Sequence, residues 1–183
     1  LAGVVVAGAE PETLEAAKAH AHWRTPLGKN QGRGIASGFW FNIGGETSVS
    51  LVLNADGTLA LTAGTPDIGG SRASMSQMAA EALGIPYDKV KATVSDTASL
   101  GFNDISEGSR VTFSTGLATI QAAGDAVKKL CARAAMTWGI PEDAVEWSDG
   151  HARPAGSNAG NFEPLSLRQI AKLIPLRRQT LLF

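Results

Sequence analysis

The spacing of apolar residues between positions 49 and 83 constrains the fold of this 183-residue chain more than any other feature. Apolar residues alternate through two short runs, 49–53 and 59–63, with the period of β-strands buried on one face. The intervening Asn54-Ala55-Asp56-Gly57 is typical of a tight turn. From Ser71 to Leu83 the apolar period becomes that of an α-helix. These runs predict an antiparallel hairpin followed by a helix.

The rest of the chain extends this pattern. Further strands are predicted at 35–43, 90–94 and 145–147, and a first helix at 11–23. A long helix is predicted to follow Gly108 and to end near Gly139, and Ser166 with Gln169 predicts a capping box for a final helix. The buried face of the long helix is expected to contain Leu117, Ile120, Gly124, Val127, Cys131 and Ala134. This order predicts an α+β fold, a two-layer sandwich whose mostly antiparallel or mixed sheet is covered by two main helices.

The composition is that of a globular protein, with 44% hydrophobic residues, 18% charged residues and a net charge of −1. That balance gives no support for nucleic-acid or membrane-surface binding. No signal peptide or membrane span is visible, so a cytoplasmic location is expected. Three parts are expected: an N-terminal helix and linker (1–34), an α+β domain (35–147), and a C-terminal turn, short helix and tail (148–183).

The tripeptide Gly-Ser-Arg occurs twice, at 70–72 and 108–110, each time between a strand-like run and a helix-like run. The glycine lets a ligand approach the backbone, the serine adds a hydroxyl and an amide at a helix start, and the arginine adds a two-pronged cation. Two such junctions indicate an elongated polyanion, such as a pyrophosphate. Asp67 brings a negative charge to the first junction, and it is expected to pair with Arg72 or to cap the helix.

Both junctions also allow a purely structural interpretation. Glycine and serine mark ordinary helix N-termini, so the two turns are equally consistent with a structural domain whose loops are caps. No residue has the context of a catalytic acid, base or nucleophile. His20, His22 and His151 do not have the spacing of a metal site. The single cysteine, Cys131, excludes an internal disulfide and is expected to be a buried, inert thiol.

Several segments occur in an order that points to a family. A strand ending in Gly64-Thr65 precedes a glycine-rich loop and a helix containing the run from Gln77 to Pro86. A strand ending in Asp96-Thr97 then precedes the helix start Gly-Ser-Arg-Val-Thr at 108–112. This order resembles the molybdopterin-binding subunit of the xanthine dehydrogenase, aldehyde oxidase and carbon monoxide dehydrogenase family. The resemblance is best between residues 34 and 130, so the chain is similar to part of such a subunit.

The resemblance implies a molybdenum cofactor, held by backbone amides and hydroxyls as a molybdopterin cytosine dinucleotide. It implies that the cofactor is bound by Gly69, Gly70, Ser71, Arg72, Gly108, Ser109, Arg110, Val111 and Thr112. It also implies hydroxylation or oxidation of a carbon centre, with electrons passing through iron–sulfur clusters to FAD in partner domains or subunits. The remainder of the molybdopterin subunit would complete the enzyme, and this chain alone is expected to be inactive.

The sequence departs from the family pattern at two places. The first loop of the family usually contains Gly-Gln-Gly, whereas Gly70 and Ser71 stand at the glutamine and the second glycine here. No segment corresponds to the metal-proximal loops or to the Gly-x-Gly-Glu that carries the family's base. An alternative function is therefore a non-catalytic anion- or nucleotide-binding module that has lost the cofactor.

Overall fold

The structure is a computed structural model that describes residues 10–36, 38, 41–94, 96–156, 160–173 and 181–182. It divides into two compact units, Leu1–Trp40 and Phe41–Phe183. The expected boundaries at 34/35 and 147/148 remain predictions.

In the described part of the first unit, the predicted helix at 11–23 consists of α1 (Glu10–Ala19) and α2 (Ala21–Arg24). His20 separates them because its extended backbone and its Nδ1, which accepts the His22 N–H at 3.2 Å, make it the N-cap of α2. Arg33 then folds back on this segment, donating to the carbonyl of Thr25 at 2.9 Å and lying 6.0 Å from the ring centre of Trp23.

The second unit contains a four-stranded sheet of order β3-β2-β1-β7, built from β1 (Val49–Leu53), β2 (Leu59–Ala63), β3 (Val90–Val94) and β7 (Leu181–Leu182). The predicted hairpin is confirmed: β1 and β2 are antiparallel, with Leu51 opposite Leu61. β2 and β3 are parallel, because α3 (Ser71–Leu83) crosses over between them.

A second sheet contains three antiparallel strands in the order β4 (Val145–Ser148), β5 (His151–Pro154) and β6 (Leu165–Ser166). The long helix is α4 (Gly116–Trp138), and the capping box of Ser166 and Gln169 is confirmed at the start of α5 (Leu167–Lys172). The α+β prediction is therefore confirmed. The expected tail residues 174–180 and 183 lie outside the described residues.

The core lies between the four-stranded sheet and helices α3 and α4. Alternate leucines of the hairpin supply one side, and Met75, Ala79 and Leu83 of α3 supply the other. These strand positions share one face of the sheet because Leu51 pairs with Leu61 and Leu53 pairs with Leu59. Burial of this face against the two helices positions the loops that follow the strands.

The strand predicted at 35–43 is wrong. Residues 35–36, 38 and 41–43 contain no strand, while 37, 39 and 40 lie outside the described residues. An apolar run becomes a strand only when another strand pairs with it. Ile43 instead donates its N–H to the carbonyl of Gly108 at 3.1 Å.

The predicted buried face of α4 is confirmed at Ala134 but wrong at Leu117, Ile120 and Gly124, which are exposed, while Val127 and Cys131 are partly buried. Leu117 is 49% exposed and Ile120 is 48% exposed, whereas Leu130 is 1% exposed. The buried face consists of small residues with one leucine: Gly116, Thr119, Ala123, Ala126, Leu130, Ala134 and Ala135. Small residues win because they let α4 approach α3 closely; a Cβ at Gly116 would lie 2.6 Å from the Met78 sulfur.

Among the described residues, none of the helices has the length and apolar character needed to cross a membrane. Cys131 is half-buried, and its burial raises the pKa of the thiol.

Candidate functional site

The two Gly-Ser-Arg segments follow neighbouring parallel strands. The first loop (residues 64–72) follows β2 and the second loop (residues 96–112) follows β3, and Ala63 pairs with Val94 where the strands end. Carboxyl ends of parallel strands meet at one edge of a sheet, so both loops leave the domain at the same end. The crevice outside such ends is where open α/β sheets bind ligands.

The backbone of the first loop changes from left-handed to right-handed conformation immediately before α3. Gly69 and Gly70 have φ values of +69° and +84°, and right-handed helix begins at Ser71. Among the described residues, no atom lies within 4 Å of a Cβ built at either glycine. A left-handed residue followed by a right-handed one directs successive amides into one concavity, which is a common geometry for anion binding.

Asp67 both caps α3 and pairs with Arg72, the two roles that the sequence left open. Its Oδ1 accepts the Arg72 amide at 2.9 Å and the Ser71 hydroxyl at 3.3 Å, which caps the helix. Its Oδ2 accepts from Arg72 Nε at 2.6 Å. These bonds hold the pKa of Asp67 below its ordinary value, and the bond from the Arg72 backbone amide has the largest effect. The Arg72 cation is therefore paired within its own loop.

The backbone of the second loop makes a similar change from left-handed to right-handed conformation. Gly108 and Ser109 have φ values of +55° and +57°, and Arg110 returns to right-handed backbone with φ −87°. Positive φ is uncommon for a serine, so the surrounding contacts hold it there. Gly108 is required at its position because a Cβ would lie 2.6 Å from Ile43 Cγ1. A π-helical turn, Val111–Thr115, then leads into α4.

Arg110 is fully buried, at 0% exposure. Its guanidinium donates to four backbone carbonyls: Gly44 through Nε, Glu46 through Nη2 at 2.7 Å, and Asp104 and Ile105 through Nη1 at 3.0 and 3.2 Å. In the part of the chain that the structure describes, no carboxylate forms an ion pair with it. Carbonyl oxygens thus take four of its five N–H groups. The predicted role of Arg110 at a cofactor phosphate stays a prediction.

The two loops share a cleft of about 310 Å³. The first loop contributes Ile68, and the second loop contributes Ser106, Glu107, Gly108, Ser109, Arg110, Val111 and Thr112. Glycine, two serines and a threonine make this surface rich in amides and hydroxyls, while Glu107 is its acidic side chain. Ser71 and Arg72 line a separate narrow gap against β2 and β3. The structure thus gathers the predicted residues 108–112 around one cleft, with Ile68 in place of the predicted 69–72.

Sequence reasoning assigned no role to Gly45, Gly64 or Asn103, although all three shape the loops. A Cβ at Gly45 would lie 2.8 Å from Arg110 Nε, and Gly64 packs on the Asn103 side chain. The contacts of Gly45 with Arg110 and of Gly64 with Asn103 each join residues 39 or more positions apart. The sequence therefore indicated only the residue types and not these contacts.

Among the described residues, no group of three or more histidine, cysteine, aspartate or glutamate side chains is arranged to hold a metal ion. The residues that line the cleft include Gly108, two serines and Thr112, and backbone amides and hydroxyls are donor types that bind phosphate oxygens well.

The family is shown by comparison with known proteins. The sequence profile of the molybdopterin cofactor-binding domain matches residues 7–181, and the chain belongs to that family. The resemblance to part of a molybdopterin-binding subunit of the xanthine dehydrogenase family is thereby confirmed.

Solved structures give the same fold. A Cu,Mo-CO dehydrogenase in its carbon monoxide-reduced state is 23% identical with a TM-score of 0.64, over 75% of this chain and 18% of that one. A reconstituted CO dehydrogenase from Oligotropha carboxidovorans is 25% identical with a TM-score of 0.61, over 69% and 15%. Quinoline 2-oxidoreductase from Pseudomonas putida 86 is 19% identical with a TM-score of 0.61, over 74% and 18%. The matched region spans less than a fifth of each of these chains.

Proposed function

We propose that the cleft between the two loops binds the pyrophosphate of a molybdopterin dinucleotide. The observation that carries this proposal is the single cleft formed by Ile68 and residues 106–112, with the buried Arg110 among its lining residues. The amides and hydroxyls of Gly108, Ser109, Val111 and Thr112 would hold the phosphate oxygens. Gly69 and Gly70 follow Ile68, and the open space around them would leave room for the rest of the ligand.

Charge supports this assignment. A buried guanidinium costs free energy. Its four carbonyl partners offset part of that cost, and so does the nearby Asp104 carboxylate, whose Oδ2 and Arg110 Nε would both lie within 2.8 Å of a Cβ at Gly45. An anion in the adjacent cleft would lower the cost through the low-dielectric interior, without touching the guanidinium. Arg110 would therefore favour the pyrophosphate at a distance. Glu107 opposes it, which limits affinity for the pyrophosphate alone.

The rest of the enzyme is proposed from family membership. A domain of this family is consistent with three further features of the enzyme. They are the cytosine dinucleotide form of the cofactor, a molybdenum hydroxylase activity, and partner domains that carry iron–sulfur clusters and FAD. When bound, the molybdenum cofactor would supply the redox chemistry of carbon hydroxylation. The residues of this chain would bind and orient its dinucleotide, and none is proposed as a catalytic base or metal ligand.

The test uses inorganic pyrophosphate as a probe and isothermal titration calorimetry with the purified chain. Thr112→Glu adds a carboxylate to the cleft, which should weaken affinity by roughly tenfold, since one charge a few ångströms away is worth about 1–4 kcal/mol. Glu107→Gln should strengthen affinity. Gln121→Glu, an exposed change outside the cleft, adds the same charge as Thr112→Glu and should leave affinity unchanged. Equal effects of the two added carboxylates would contradict the proposal.

The alternative, a binding module that has lost the cofactor, is favoured by Gly70 and Ser71 at the positions of the family's glutamine and second glycine. Metal analysis and pterin fluorescence of the full-length gene product distinguish the two functions. Stoichiometric molybdenum and pterin support the enzyme. Pyrophosphate binding with neither supports the module.

A further inference from the structure

The side chain of Asn103 lies where the two loops meet the start of β1. Its Oδ1 accepts from the Thr47 hydroxyl at 2.6 Å and from the Ser48 amide at 3.2 Å. Its Nδ2 donates to the Ser48 hydroxyl at 3.2 Å and to the Gly101 carbonyl at 3.1 Å. The amide group thus makes two bonds as acceptor and two as donor. Of similarly shaped side chains, only asparagine offers both functions.

The same side chain also packs against the first loop. Gly64 is the first residue after β2, and a Cβ built there would lie 2.9 Å from Asn103 Cγ and even closer to its Nδ2. Gly64 has no need of a left-handed backbone, so its role is to leave room for the amide. Asn103 is therefore in contact with the first loop while belonging to the second.

The bonds of Asn103 continue into the groups that form the cleft. Its next two neighbours, Asp104 and Ile105, give their carbonyls to Arg110. Its partner Thr47 lies 3.3 Å, oxygen to oxygen, from the hydroxyl of Thr115 in the π-helical turn. A shift of residue 103 would thus move both the carbonyls that hold Arg110 and the turn that follows it.

We infer that Asn103 is a positioning residue that fixes the distance between the two loops and so preorganises the cleft. This inference rests on the proposed function for its consequence in binding. Loss of the amide donors would not remove a contact to the ligand. It would let the loops move independently, and binding would then have to overcome the entropy of ordering them.

Asn103→Leu tests the inference, because leucine has a similar shape and adds no charge but can neither donate nor accept these hydrogen bonds. Amide hydrogen exchange of residues 106–112 without ligand should become faster, and pyrophosphate affinity should fall by roughly tenfold, because binding must then order the loops. Asn54→Leu is the matched control: Asn54 bonds Thr58 in the hairpin turn at 3.0 Å, and exchange in the second loop should not change.

Unchanged exchange and unchanged affinity in Asn103→Leu would overturn the inference. If the variant fails to fold, Ser48→Ala removes only one acceptor of the amide, and the same pair of measurements applies. The exchange experiment needs no ligand. A wild-type chain that binds no pyrophosphate would therefore contradict the proposed function while leaving the positioning role decided by exchange.

Discussion

Arg110 and Arg72 occupy equivalent places in two copies of one tripeptide, yet their surroundings differ completely. Arg110 is buried and bonded to four carbonyls, two in its own loop and two in a segment more than 60 positions away. Arg72 is exposed and paired with Asp67, five positions away. Burial in a low-dielectric interior makes the first arrangement strong and the second weak. The two residues should therefore respond very differently to the same substitution.

Arg110→Met should destabilise the chain by about 3 kcal/mol, because it leaves several buried carbonyls without donors even as it removes a buried charge. Arg72→Met should leave the unfolding midpoint almost unchanged, since the backbone amide of residue 72 still reaches Asp67. Urea denaturation followed by circular dichroism measures both. Similar midpoints for the two variants would contradict the assigned roles.

The lowered pKa of Asp67 makes part of the stability depend on pH. The carboxylate is stabilised in the folded state by the amide and side chain of Arg72. A lowered folded-state pKa contributes stability above the unfolded value, and that stability is lost as pH falls below about 4. Asp67→Asn should therefore melt below wild type at pH 7, and the difference should shrink toward pH 3. A constant difference across this range would be inconsistent with the charge as its cause.

At the scale of elements, α4 shows what a helical pattern can and cannot predict. The periodicity located the helix, since spacing is a local property. It was right at Ala134 but wrong in the first half of the helix, because the larger apolar residues Leu117 and Ile120 were assumed to be buried. The structure instead buries alanines, threonine and glycine against α3, where close approach matters more than side-chain volume. The face of α4 that is buried depends on the elements that pack against it. Those elements are distant in sequence, so the residues of α4 alone do not determine this face.

Leu130→Ala and Leu117→Ala compare the two faces directly. Leu130 is fully buried in the core, so its truncation should cost about 2–5 kcal/mol in free energy of unfolding. Leu117 is half exposed on this chain, and its truncation should cost less than about 1 kcal/mol. Chemical denaturation of the isolated chain measures both, and a reversed order would restore the face predicted from the sequence.

The C-caps of α3 and α4 offer a second matched pair. Gly84 and Gly139 have nearly the same φ, +64° and +68°, but a Cβ at Gly84 would lie 2.9 Å from the backbone nitrogen of Gly150, whereas Gly139 faces open space among the described residues. Gly139→Ala should cost about 1 kcal/mol for the left-handed conformation. Gly84→Ala should cost more, because two backbone turns must separate. Thermal unfolding measures the stability lost in each variant. Equal losses for Gly84→Ala and Gly139→Ala would show that the contact between the turns at Gly84 and Gly150 does not contribute to stability.

For the whole molecule, the features predicted correctly are those set by nearby residues. The hairpin follows from its turn, α3 from its period, and α5 from the capping box of Ser166 and Gln169. The site was predicted only in outline, as two glycine-rich junctions. Its interior, Arg110 on Gly44 and Asn103 on Gly64, joins residues 39 to 66 positions apart, and no local pattern encodes such pairs.

The central claim about the molecule is that two loops at one end of the sheet form a single anion-binding cleft. Amide chemical shifts of the isotope-labelled chain, recorded by NMR during titration with inorganic pyrophosphate, test it most directly. We predict shifts in residues 68–72 and 106–112 that follow one binding curve. Shifts confined to a separate cleft of about 320 Å³, which Lys89, His151 and Arg168 help to line, would contradict the claim.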